Sequence, residues 1–148
     1  MKIKKLKQII KKVFKEHGLS QNHANLCSDA LINAELVGAP SHGLSRLKMY
    51  CDRIKHKLIN PKPKIKIKKI SQSISHIDAN NSMGFVSESI GINVAIKNAK
   101  KTGIGLVAVK NSGHYGLSGY YVEQAVKKNL IAMLFTNAPP AIAPHGAL

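Results

Sequence analysis

Arginine, acidic residues, cysteine and long apolar runs are all scarce in this sequence, and each scarcity excludes something. Of its 23 Lys+Arg residues, only Arg46 and Arg53 are arginines. Base-edge readout and bidentate phosphate clamping draw on the planar guanidinium fork, so nucleic acid is a poor candidate partner. Two cysteines, Cys27 and Cys51, are too few for a disulfide framework or a four-thiolate metal site. No apolar run approaches the roughly 20 residues of a membrane span. The opening MKIKKLKQIIKKVFKEHG lacks the uninterrupted apolar stretch and small-residue cleavage site of a secretory signal. The expectation is a single soluble unit in the cytoplasm with no membrane partner.

What is present is enough for a core: 148 residues, 44% of them hydrophobic. The 7 acidic residues against 23 basic ones leave a formal charge of +16. Fourteen of the 21 lysines fall in two blocks, residues 2–15 and 55–69. Spread among Ile and Asn, they read first as two solvated faces. An electrostatic lure for anionic substrates is the second reading, and a small basic binding module for nucleic acid the third.

Helical spacing places Ile3, Leu6, Ile9, Ile10, Val13 and Phe14 on one stripe of a helix over 3–17, with lysines opposite. Gly18 is a natural stop and Ser20 a natural N-cap for a second helix over 21–36. After Gly38-Ala39-Pro40 the helical period resumes at Leu44 and ends at Asn60-Pro61. Residues 64–70 (KIKIKKI) alternate as a half-exposed strand does, 74–78 extend it or pair with it, and Asn80-Asn81-Ser82 reads as a turn. A helix over 85–101, a buried strand over 104–109, a helix near 117–128 and a second buried strand over 130–135 complete the pattern. That order is βαβ-like, so the fold class expected is α/β: N-terminal helices over 1–62, then a mixed α/β layer over 63–148. A buried strand followed by a dozen loop residues looks truncated, so the expectation is a fragment ending inside a domain, with reduced or no activity alone.

Three polar, Gly/Pro-flanked segments sit at element ends, where scaffolds present functional groups. In Ser41-His42-Gly43-Leu44-Ser45-Arg46, the histidine lies at the mouth of the expected helix and Arg46 in its first turns. An anion there feels both the helix dipole and the guanidinium, although Ser41 can equally be a mere N-cap and His42 a surface residue. In Asn111-Ser112-Gly113-His114-Tyr115-Gly116-Leu117-Ser118-Gly119 the glycine spacing fails the G-x-G-x-x-G fingerprint, but it still permits close backbone approach to a ligand beside His114. Residues 136–146 offer Thr136 and Asn137 at a strand end, with prolines stiffening the wall. The histidines have no H-x-x-x-H or H-E-x-x-H spacing, so no metal is expected. G-x-S-x-G is absent, so a serine hydrolase is unsupported.

SHGLSRL at 41–47, INP at 59–61, KKTGIGLVAVKNSGHYGLSGYY at 100–121 and FTNAPPAIAPHG at 135–146 together resemble the malate/L-lactate dehydrogenase family. These are non-Rossmann, NAD(P)-dependent 2-hydroxyacid dehydrogenases, a family that also holds ureidoglycolate, sulfolactate and diketogulonate oxidoreductases and cyclic-imine reductases. The resemblance runs over nearly the whole chain but corresponds to the N-terminal portion of longer relatives. It implies an α/β fold of that family's type, a small 2-hydroxy acid or 2-keto acid as substrate, NAD or NADP as cofactor, and a homodimer. It implies His42 as proton donor and acceptor oriented by Ser41, and Arg46 as the grip on the substrate carboxylate. His114 matches a second family histidine that takes the acid/base role in some members. His114, Tyr115, Gly116, Leu117 and Ser118 match a cofactor-contacting loop, with Thr136 and Asn137 on a strand end lining the same cleft. The family pattern continues with a second glycine where this chain has Ala147, so most of the cofactor-binding loops are not represented. The rival expectations are a basic nucleic-acid module and an inactive remnant.

Overall fold

The computed structural model describes residues 2–137. Three helices come first: α1 (Ile3–Glu16), α2 (Gln21–Leu36) and α3 (Leu47–Lys55), the last preceded by two short 3-10 turns, Pro40–His42 and Leu44–Arg46. A small mixed sheet follows, with β1 (Lys66–Lys69), β2 (Ile74–Ser82) and β3 (Leu106–Ser112) interleaved with α4 (Gly84–Thr102) and closed by α5 (Ser118–Val126).

The lysine face of α1 leaves a narrow apolar edge: Ile10 and Phe14 are buried, while Ile3 and Ile9 stay exposed. The chain turns at Gly18, which adopts a φ of 90° that a side chain would resist. Ser20 then accepts the amide of His23 at 3.2 Å, capping α2. Replacing Ser20 by Ala should cost about 1 kcal/mol, read as a lowered denaturation midpoint at unchanged m-value. Phe14, Cys27, Leu31, Tyr50, Ile54, Ile59, Met83, Phe85 and Val86 share one core that joins the three N-terminal helices to the start of α4.

In the sheet, β1 runs antiparallel to β2 (Lys66 opposite Asp78, Lys69 opposite Ser75) and β2 runs parallel to β3 (Ile74 opposite Leu106, Asp78 opposite Lys110). The right-handed-crossover logic of a βαβ unit therefore applies to β2–α4–β3, one strand earlier than the sequence pattern placed it. Residues 80–82 are not a separate turn. Asn80 and Asn81, with φ of 51° and 56°, form an irregularity inside β2, after which Ser82 pairs with Ser112. Asp78 supports this bulge by accepting from the side chain of Asn111 (3.0 Å) and the amide of Asn80 (3.1 Å), and those bonds hold its carboxyl below the usual range. α4 packs over β3 at Gly91, where even an added Cβ would meet Val109 and Val107 only at ordinary contact distances of 3.5 and 3.7 Å.

Two strand expectations are corrected. Residues 104–109 are not a buried strand: β3 is half-exposed, with Leu106 56% accessible, because only one face is covered by α4. Residues 130–135 form no strand. Leu130, Ala132 and Leu134 pack beside Tyr121, but Ile131 (94%), Met133 (77%) and Phe135 (85%) are open to solvent. Alternation of this kind is what an extended segment covered on one side produces. The strand at 64–70 is shorter than its pattern and exposed on both faces. The proline-rich stretch after Asn137, Ala147 included, lies outside the described residues. No helix among the described residues is long and apolar enough to cross a membrane.

Candidate active site

The 41–46 segment is not the first turn of a long helix. It is a pair of 3-10 turns carrying Ser41, His42 and Arg46, and α3 starts only at Leu47. The turns are braced from within. Ser45 donates to the carbonyl of Pro40 at 2.6 Å, and Arg46 Nε donates to the carbonyl of Ser41 at 2.8 Å. They are also braced from behind by Glu35 of α2, whose carboxylate accepts the amide of Leu44 at 2.6 Å. Gly43 makes room for it: a Cβ there would overlap the carboxylate and lie 2.8 Å from Cδ of Glu35. The consequence is a half-buried His42 ring whose Nδ1 lies 3.0 Å from Oγ of Ser41, and an Arg46 guanidinium left largely in solvent.

The second histidine arrives from the loop that follows β3. The loop after β3 crosses the N-terminus of α4 so tightly that a Cβ on Gly84 would overlap the carbonyl oxygen of Gly113 and stand 2.5 Å from the carbonyl of His114. Gly116, at φ 80°, turns the chain over Phe85. This brings the His114 ring to 5.8 Å from that of His42, stacked at 24°. Tyr50, fully buried on α3 and set edge-on against Phe85, places its hydroxyl 2.7 Å from Nδ1 of His114. The amide of Gly116 reaches the same nitrogen at 3.3 Å. Burial, then the positive groups of His42, Arg46 and Arg53, push the His114 pKa down. Burial raises that of Tyr50, which stays a neutral phenol.

Ser41, His42, Arg46 and His114 thus converge. Tyr115 and Ser118 lie next to them, joined hydroxyl to hydroxyl at 3.1 Å, and the carbonyl of Tyr115 accepts from the buried Tyr121 at 2.8 Å. Gly116 is buried and Leu117 precedes α5 without a side-chain cap. Thr136 and Asn137 are not brought into this cluster: both are exposed, and the Thr136 hydroxyl donates to the carbonyl of Asn137 at 3.2 Å. Tyr50, Glu35, Gly84 and Arg53 are participants that motif reading passed over. For Tyr50 the only sequence signal was its place on the inward stripe of α3, where a tyrosine must still find a partner for its hydroxyl. Its partner lies 64 residues away. No group of three or more His, Cys, Asp or Glu able to hold a metal occurs among the described residues. Chemically, the cluster offers two imidazoles and an exposed guanidinium, a set suited to a small oxygen-bearing anion.

Comparison with known proteins fits that chemistry. The family model for malate/L-lactate dehydrogenase matches residues 1–148. Malate dehydrogenase of Pyrococcus abyssi is 40% identical over 137 residues, covering 93% of this chain and 38% of that protein. Ureidoglycolate dehydrogenase (NAD(+)) of Escherichia coli O157:H7 is 30% identical over 141 residues, covering 95% and 40%. The solved sulfolactate dehydrogenase of Methanocaldococcus jannaschii superimposes with a TM-score of 0.85 at 37% identity, covering 87% of this chain and 38% of that one. The chain spans about two fifths of the length of the curated relatives it matches.

Proposed function

The chain belongs to the malate/L-lactate dehydrogenase family, and from that premise we propose that it handles the substrate in an NAD(P)-dependent oxidoreductase of small 2-hydroxy acids and 2-keto acids, of the malate, lactate or ureidoglycolate type. The observation that carries the reading is the meeting of two distant segments: the His42 and His114 rings stack 5.8 Å apart, with Arg46 bonded to Ser41 beside His42 and the buried Tyr50 hydroxyl on His114. Malate, sulfolactate and ureidoglycolate, the substrates named in the relatives, all pair a carboxylate with an adjacent hydroxyl carbon. Arg46 supplies the cation for the carboxylate: its Nε is spent on Ser41 and one terminal nitrogen rests on the weak acceptor Met49 Sδ at 3.9 Å, while the side chain stays exposed. Holding the carboxylate there fixes the hydroxyl carbon beside the two rings, and the entropy of orientation is met before reaction. An imidazole beside the hydroxyl moves its proton, a task for which the ordinary histidine pKa is well placed.

The loop before α5 fits a nicotinamide dinucleotide. Its backbone turns at Gly116, Ser118 offers a hydroxyl at the start of α5, and a Cβ on Gly119 would meet nothing within 4 Å, so a ligand can approach the helix closely there. Tyr115, Gly116, Leu117 and Ser118 would hold it, and when bound it supplies the hydride acceptor or donor for the substrate carbon.

Titrating the isotopically labelled chain with malate, lactate and ureidoglycolate, with and without NAD+, should move the ring signals of His42 and His114. Perturbation confined to the lysine faces of α1 and β1 would instead support the basic-module reading and overturn this one. Arg46→Lys keeps the charge but loses the planar fork, and should weaken 2-hydroxy acid binding about tenfold, measured by the same titration.

A further inference from the structure

We propose that Tyr50 is a positioning residue that holds the His114 ring against the amide of Gly116, which locks the ring in its Nε2-protonated form, so that His114 serves the site as a hydrogen-bond donor and the proton is moved by His42. The inference rests on the oxidoreductase reading for its consequence, but not for its test.

The lock follows from which groups can donate. A backbone amide has no acceptor capacity, so the Gly116 N–H at 3.3 Å requires a lone pair on Nδ1 of His114. The Tyr50 hydroxyl at 2.7 Å therefore donates to that nitrogen as well. Were Nδ1 protonated, its N–H would face the Gly116 N–H, and that amide would lose its acceptor. With Nδ1 serving as acceptor, the proton of the neutral ring sits on Nε2. Nε2 makes no hydrogen bond among the described residues, so its N–H is available to a ligand oxygen.

A second proton would have to go onto Nδ1, displacing both donors. It would also place a cation beside His42, Arg46 and Arg53, in a ring already partly desolvated, and the pKa of His114 is lowered for those reasons. Tyr50 itself does not ionise to help, because burial raises its pKa. The ring is thus a neutral donor, with no nitrogen left to receive the proton of a hydroxyl. His42 differs. Its Nδ1 lies 3.0 Å from the Ser41 hydroxyl, which can accept the Nδ1 proton, leaving the Nε2 lone pair free. In hydroxy-acid oxidation the O–H bond breaks toward Nε2 of His42. The C–H electron pair leaves with the hydride to the oxidised nicotinamide dinucleotide, and the new carbonyl oxygen keeps its hydrogen bond from Nε2–H of His114. Reduction runs the same steps backward, with His42 as the acid.

The test is the tautomer itself, read from two-bond 15N–1H correlations of the labelled chain. The expected result is an unprotonated Nδ1 and a protonated Nε2 on His114 in the wild type near neutral pH. Tyr50→Phe, with the amide spectrum checking the fold, removes the anchor that keeps the ring against the Gly116 amide, and should raise the ratio of the Nδ1-protonated tautomer about fivefold, the weight of that one amide hydrogen bond. A wild-type His114 protonated on Nδ1, or a folded Tyr50→Phe with the wild-type ratio, would overturn the proposal. If Tyr50→Phe does not fold, the wild-type tautomer alone decides. These readouts involve no turnover. A locked tautomer in a chain that binds no 2-hydroxy acid would sink the functional reading and leave the lock standing.

Discussion

His42→Gln should lower kcat/KM for reduction of a 2-keto acid by about 10²–10⁴, whereas His114→Gln should lower it by only about tenfold. Glutamine can donate a hydrogen bond from its amide but cannot carry a proton, so the pair of variants separates a proton carrier from a donor. The difference between them is about 1.4–4 kcal/mol of transition-state stabilisation. The measurement is steady-state turnover with NADH and a panel of malate-, lactate- and ureidoglycolate-type keto acids. Equal losses in the two variants, or a greater loss in His114→Gln, would mean that the Nε2 proton of His114 is itself transferred. Both histidines sit within one electropositive cluster with Arg46 and Arg53, so a loss shared by both through weakened anion binding would appear in KM. The proposed division concerns kcat.

Gly84→Ala should destabilise the chain by about 3 kcal/mol, a fall in Tm of roughly 10 °C. The new methyl would meet the carbonyl groups of Gly113 and His114, which are backbone and cannot swing aside as a side chain would. Either α4 loses its first turn, where Gly84, Phe85 and Val86 are buried, or the 113–116 loop lifts. The second outcome separates His114 from Tyr50, so the ring signals of His114 should shift in the same variant that loses stability. Gly119→Ala is the matched control. It also adds a methyl to a helix near the site, but the methyl meets nothing within 4 Å, and the helix gains about 0.5–1 kcal/mol from the better propensity. Thermal unfolding of the two variants checks both. A Gly84→Ala chain as stable as the wild type would show that the loop is not held by that close approach.

Local chemistry was legible where the residues that decide it are neighbours. α2 begins at Gln21 because Ser20 caps it, and α4 ends at Thr102 because Gly103 can adopt a φ of 81°. These are choices made within one turn of chain, so spacing and cap residues suffice. The Ser41-His42 pair and the bracing of Arg46 onto Ser41 are likewise local. The strands were less legible. The apolar runs at 104–109 and 130–135 looked alike, yet only the first belongs to a sheet, because pairing depends on β2 being alongside and not on the run itself. Asn80 and Asn81 have turn chemistry, but the parallel partner absorbs them as an irregularity within β2.

The sequence by itself therefore determined the helices, the α/β class and the identity of the two histidines and the arginine worth examining. Only the tertiary structure decided that the histidines belong to one site, that Glu35 backs one and Tyr50 holds the other, and which nitrogen of His114 is left free. The physical reason is range. A cap or a turn is settled by atoms a few residues apart, but a tautomer is settled by whichever donors the fold delivers, and here one comes from 64 residues away.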